Sequence, residues 1–139
     1  TNTTRVPLVV RADVPNNCRV AAEDINFGSH GVLRDPIDAT GAIEVSCTQG
    51  TSYHIGLGNG LQGEGPTRRR MALGGNTVTY GLYQDSARSL PWGDAIGANT
   101  QAGLGTGTSE RLSVYGRVPA QRTPPSGTYR DTVVVTVTY

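Results

Sequence analysis

The sequence predicts an all-β chain folded as a single sandwich, and three observations carry that reading. Apolar residues alternate with polar ones in short runs, turn residues separate the runs, and no stretch repeats apolar residues at helical spacing. The composition agrees. Charged residues make up only 17% of the 139-residue chain, and 19 glycines and 8 prolines supply the turns that many short strands need. That length suits one domain with its own core rather than two.

The first alternating run is Val6, Leu8, Val10, Ala12 and Val14 on one face, with Pro7, Val9, Arg11 and Asp13 on the other. Pro15-Asn16-Asn17 breaks it. Residues 1–14 therefore read as an arm and residues 15–139 as a body. Cys18, Val20 and Ala22 begin the body's alternation, which continues towards Ile25 and Phe27. Ile43, Val45 and Cys47 form the next run, followed after Gln49-Gly50 by Tyr53, Ile55 and Leu57, and the two runs are expected to pair as a hairpin. Met71 and Leu73 lead into Gly74-Gly75-Asn76, with Val78, Tyr80 and Leu82 returning as a second hairpin. Leu112, Val114 and Val118 make a later strand. Tyr129, Val133, Val135, Val137 and Tyr139 end the sequence on its most strand-like segment. From Cys18 onward this gives about six strands, where an Ig-like sandwich has seven, so the arm is a spare strand.

Several chemistries drop out. The net charge of +1 gives no electrostatic footprint for nucleic acid or an anionic membrane. All twelve basic residues are arginine, so the chain has no lysine for a Schiff base, a P-loop or an isopeptide cross-link. Gly58-Asn59-Gly60-Leu61-Gln62-Gly63 matches a dinucleotide-binding pattern, but Glu64-Gly65-Pro66-Thr67 cannot open the helix that would hold a pyrophosphate, which leaves a glycine-rich loop. Arg68-Arg69-Arg70 reads as a solvated strand edge, and Leu104 to Thr108 as a flexible turn. His30 and His54 fall on separate elements, and Asp85 and Asp131 have no carboxylate partner at a useful spacing. No catalytic residue, metal site, cofactor or small-molecule substrate is expected. Trp92, after Pro91, is expected to plug a loop against the sandwich.

The sequence opens Thr1-Asn2-Thr3-Thr4 and contains no apolar run of the ~20 residues a membrane helix requires, so it reads as a mature exported form. Export meets an oxidising compartment. Cys18 and Cys47 share the inward parity of neighbouring runs and are expected to form a disulfide, whose closure of a loop of ~30 residues contributes roughly 3.5 kcal/mol on the chain-entropy model.

In their order along the chain, Cys18 before Asn26-Phe27-Gly28, Val45-Ser46-Cys47-Thr48, Arg70-Met71, Tyr80-Gly81-Leu82-Tyr83-Gln84-Asp85, Trp92-Gly93-Asp94, Tyr115-Gly116-Arg117-Val118-Pro119 and the run from Gly127 to Val137 resemble the spore coat protein U domain family, which includes pilins of archaic chaperone-usher pili. The resemblance spans nearly the whole chain. It implies an incomplete Ig-like sandwich, held first by a periplasmic chaperone, passed through an outer-membrane usher, and completed by the donor strand of a neighbouring, identical or related subunit in a surface pilus for adhesion and biofilm formation. Val6, Leu8, Val10, Ala12 and Val14 would be the donor strand, and Val133, Val135, Val137 and Tyr139 would line the acceptor groove. Two alternatives are a coat protein of the same fold and a monomeric carbohydrate-binding module using Trp92 and the outward tyrosines as its platform.

Overall fold

The computed structural model describes residues 2–139, and among them every regular element is a β-strand. The strands are β1 (Cys18–Ala22), β2 (Ile37–Cys47), β3 (Ser52–Leu57), β4 (Arg69–Leu73), β5 (Asn76–Tyr83), β6 (Gln101–Leu104), β7 (Ser109–Val118) and β8 (Val135–Thr138). They form a five-stranded sheet in the order β1-β2-β7-β5-β4 and a three-stranded sheet in the order β6-β3-β8, with antiparallel pairing throughout. Period-two alternation sends one face of each sheet inward, so Ile43 and Val45 of β2, Val78, Tyr80 and Leu82 of β5, and Val114 and Val118 of β7 meet Tyr53, Ile55 and Leu57 of β3 in one core. The architecture is an Ig-like all-β sandwich.

The expected hairpin of Ile43–Cys47 with Tyr53–Leu57 does not form. β2 pairs with β1 and β7, whereas β3 pairs with β6 and β8. The connection from Thr48 to Thr51, with Gly50 at φ 82° and the Thr51 amide donating to the Thr48 carbonyl, carries the chain from one sheet to the other. Two strands facing across a core obey the same inward parity as two strands side by side, so alternation could not separate these cases. The second hairpin forms as expected, with Leu73 opposite Asn76 around Gly74-Gly75 and Gly74 at φ 60°.

Eight strands form where about six were expected; one of the additions is β6, a Gln-Ala-Gly-Leu segment too short to stand out by its alternation, and Leu104 belongs to it rather than to the turn that follows. The closing strand is also shorter than expected. Arg130 makes an isolated bridge to Ala72, and regular pairing with β3 begins only at Val135.

Cys18 and Cys47 stand opposite each other in the β1·β2 register and are joined by a disulfide, as expected. The bond ties an edge strand to its neighbour. Trp92 is fully buried, with its indole N–H donating to the Ile55 carbonyl of β3 and its own amide donating to Leu82 of β5, so this one residue bridges both sheets.

Arg69 overturns the reading of the arginine triplet as a solvated edge. Its guanidinium is wholly buried and donates to four carbonyls, those of Gly58, Pro66, Leu57 and Trp92. Its parity on β4 is inward, and the fork of five donors reaches backbone carbonyls at the end of β3 and in the loops around it. Burial pulls its pKa down from the usual value, against the opposing pull of nearby Tyr80 and Asp131.

Removing that fork would strip a buried donor from carbonyls of three segments, of which only that of Pro66 keeps another, the Leu82 amide. Arg69→Met should therefore lower stability by at least about 3 kcal/mol, while Arg68→Ala, one residue earlier and exposed, should stay within about 0.5 kcal/mol. Urea unfolding of the oxidised variants measures the difference, and equal midpoints would contradict the hub role of Arg69.

Candidate functional site: an open apolar cleft and an unpaired arm

Two edges of the sandwich remain unpaired side by side. β8 hydrogen-bonds only to β3, and β1 only to β2. The two flank a cleft in opposite directions. At one end the Tyr139 hydroxyl donates to Asn17 Oδ1. At the other the walls part around a cavity of about 650 Å³ lined by residues 22–27 and 129–133. Its floor is the core itself, with Ile43, Leu57, Tyr80, Leu82 and Val114 facing into it. An apolar floor under unpaired backbone edges is a template for one more strand.

Glycines shape the first wall. A Cβ on Gly41 would lie 2.4 Å from Ile25 Cγ1, and one on Gly116 would lie 2.8 Å from the Phe27 ring, so these two positions let Ile25 and Phe27 sink onto β2 and β7. Phe27 then meets Tyr80 edge-on, with ring centroids 6.0 Å apart.

Asp131 organises the opposite wall, although no partner for it is visible in the sequence. Its carboxylate accepts from the Tyr80 hydroxyl at 2.6 Å, the Leu61 amide at 2.9 Å and the Thr132 amide at 2.9 Å. Burial and this bond to Asp131 push the Tyr80 hydroxyl far above its usual pKa, so it remains a donor. The loop that mimics a dinucleotide-binding motif serves the same wall. Gly60, at φ 78°, has no room for a Cβ because the Asp131 carboxylate occupies that space, and the Gly58 amide donates to the Val134 carbonyl.

Of the residues assigned to the groove, Val133 and Val135 line the cavity, Val137 packs partly buried against the core, and Tyr139 is exposed at the far end. The sequence carried the first strand of the body on towards Ile25 and Phe27, whereas β1 ends at Ala22 and these two residues form the first wall of the cleft outside any strand. The arm carries no strand pairing and does not fill the cleft. Val6, Leu8, Val9, Val10 and Val14 are all between 78% and 86% exposed, so both of its faces are free of the body, and Ala12 is exposed with them.

The remaining polar residues have local roles. Asp85 caps a turn through the amides of Ser89 and Leu90, His54 contacts Thr100, and His30 contacts the Phe27 carbonyl. Among the described residues, no three His, Cys, Asp or Glu side chains gather as a metal site. The aromatic platform imagined around Trp92 does not exist, because that ring is buried.

An Ig-like sandwich with an open cleft beside its terminal strand defines a class of structural subunits, and the comparisons agree. The Spore Coat Protein U domain model matches residues 4–136, so the chain belongs to the spore coat protein U domain family. It is 36% identical over 128 residues to Protein U of Myxococcus xanthus, covering 83% of this chain and 71% of that protein. It also resembles a chain in the crystal structure of the CsuC–CsuE chaperone–tip adhesion subunit pre-assembly complex from the archaic chaperone-usher Csu pili of Acinetobacter baumannii. That match has a TM-score of 0.66 and 26% identity, and it covers 91% of this chain but only 40% of the other. Family membership and the fold shared with a component of a chaperone-usher pilus complex together support a pilin-like role.

Because Asp131 holds the start of the terminal wall through three donors, Asp131→Ala should cost about 2–4 kcal/mol and speed hydrogen exchange at the Leu61 amide. Unchanged exchange there would show that the wall does not depend on this carboxylate.

Proposed function

We propose that the chain is a pilin that polymerises by donor-strand exchange, its arm entering the cleft of a neighbouring copy. The observation that carries this reading is the coexistence in one chain of an open apolar cleft and an exposed arm with one apolar face. Val6, Leu8, Val10, Ala12 and Val14 supply side chains at the two-residue period a cleft between β1 and β8 would accept. Val133, Val135 and Val137 form the receiving wall, with Tyr139 at its end. Added backbone bonds would satisfy the β8 edge, and burying the arm's apolar face gives a gross gain near ~10 kcal/mol before ordering costs. Pro7 can donate no ladder bond, which suits a position at the strand's start.

The partners of this reading are other pilin subunits, a periplasmic chaperone that covers the cleft before assembly, and an outer-membrane usher. The location is an extracellular pilus, with adhesion and biofilm formation as its service. Residues 1–14 act as the donor arm and residues 15–139 as the receiving domain. A coat protein of the same fold is the second reading, favoured by the family's description. Immunogold labelling separates the two, since pili and coats place the label differently.

The parity of the arm gives the sharpest test. Leu8→Asp would bury an unpaired carboxylate or force its protonation, at a cost of several kcal/mol, and assembly should fail. Val9→Asp, one residue along, faces outward and should be nearly neutral. Fibre yield by negative-stain microscopy compares the two, and equal yields, or a worse defect at Val9, would defeat the assignment.

A second test uses Arg5, just before the apolar run, and Arg11, within it between Val10 and Ala12. Trypsin should cut the free monomer there within minutes and should leave the same bonds intact in polymer. Equal cutting in both states would mean that the arm is not inserted.

A further inference from the structure

An arm tethered to a body that carries a matching cleft should, by proximity, fill its own cleft first. A short flexible tether gives an effective concentration on the order of millimolar, above that of any neighbour in dilute solution. Reach does not forbid it. The nine residues from Val6 to Val14 span about 30 Å when extended, and the wall from Cys18 to Phe27 is of similar length. The sequence Pro15-Asn16-Asn17 even has the composition of a turn that could fold the arm back beside β1.

In the structure that segment does not turn. The Thr48 amide donates to the Asn17 carbonyl at 2.9 Å, extending the β1·β2 pairing one step beyond the disulfide. Thr48 Oγ1 accepts from the Asn17 amide at 3.0 Å and lies 3.3 Å from the Pro15 carbonyl. Thr51 Oγ1 donates to Asn16 Oδ1 at 3.2 Å, and Asn17 Oδ1 accepts from Tyr139. The root of the arm is thus pinned along the line of β1, leaving the body at the end remote from the cavity.

We infer that Thr48 and Thr51 are positioning residues that aim the arm away from its own cleft and reserve it for a second copy of the chain. The inference rests on the donor-strand reading. Without the clasp, the arm would fold back antiparallel to β1, fill its own cleft and end as a closed, non-polymerising monomer.

The test uses the full, oxidised chain at low concentration, with trypsin cutting at Arg5 and Arg11 as the probe of arm insertion and size-exclusion chromatography as the probe of polymer. Wild type should be cut rapidly when dilute and become protected only as polymer forms. Thr48→Val combined with Thr51→Val removes both hydroxyls at nearly constant shape. It should be protected about ten-fold even when dilute, with polymer reduced to match. Thr48→Ser keeps the hydroxyl and should behave as wild type. Pro15→Asn combined with Asn16→Gly leaves both threonines in place, removes the Asn16 acceptor of Thr51 and favours a tight turn at the root, so it should reproduce the valine variant, with an unchanged urea midpoint of the oxidised body as the check on folding.

If wild type polymerises with concentration-dependent protection while both double variants match it, the clasp inference is overturned and the donor-strand reading stands. Wild type already protected when dilute also overturns it. Wild type that never polymerises and never becomes protected defeats the donor-strand reading itself.

Discussion

The open cleft between β1 and β8 is the constraint around which the rest of the molecule is arranged. A sandwich stays folded by covering both inner faces, and here the core side chains Ile43, Leu57, Leu82 and Val114 still face a cavity of about 650 Å³. A small domain missing part of its cover loses hydrophobic stabilisation at the site where the walls must keep their shape. The body compensates with polar and covalent ties away from the cleft. The Cys18–Cys47 bond fastens β1, which has one neighbour instead of two. Trp92 and Arg69 fasten the sheets and loops on the other side, through the Ile55 and Leu82 backbone and through four backbone carbonyls.

These ties differ in kind for a physical reason. Apolar contacts are non-directional, and a core held only by them would close over an empty cleft. Directional bonds resist that collapse. Asp131, with three donors, and the glycines that admit Ile25 and Phe27 hold the two walls in place on either side of the cavity. Cross-strand ion pairs such as Arg117–Asp38 and Arg111–Glu23 support the outer face of the large sheet, but they are solvent-exposed and contribute little each.

How much of this was legible in the sequence depends on what kind of information each residue carries. Strand existence and inward parity follow from local alternation, and Cys18, Val45, Tyr80, Val114 and Trp92 all fall where alternation or a neighbouring proline placed them. Sheet membership does not follow, since Ile43–Cys47 and Tyr53–Leu57 obey one parity whether paired or facing. Arg69 was misread, and the role of Asp131 went unseen, because their partners are backbone groups and, for Asp131, a tyrosine 51 positions away, which no spacing rule reaches. The glycine-rich loop was legible as a loop, but the reason for its glycines was not, since Gly60 is a glycine because a carboxylate from the terminal wall fills its side-chain space.

The placement of arm and cleft also determines what assembly could look like in the donor-strand reading. The arm leaves the body beside Asn17 and Tyr139, while the cavity lies at the opposite end, between Phe27 and Tyr129. Donor and acceptor are different surfaces at different ends, so each copy would offer its neighbour an arm that the clasp keeps out of its own cleft. A contact of this head-to-tail kind closes into a ring only if the rotation between copies happens to return on itself, and otherwise propagates as an open filament. Two identical arms exchanged within a closed dimer would require each cleft to lie within reach of its partner's arm root, which the opposed ends disfavour. The clasp that aims the arm outward and the opposed placement of arm root and cavity therefore act together, the first against self-insertion and the second for a linear fibre over a closed pair.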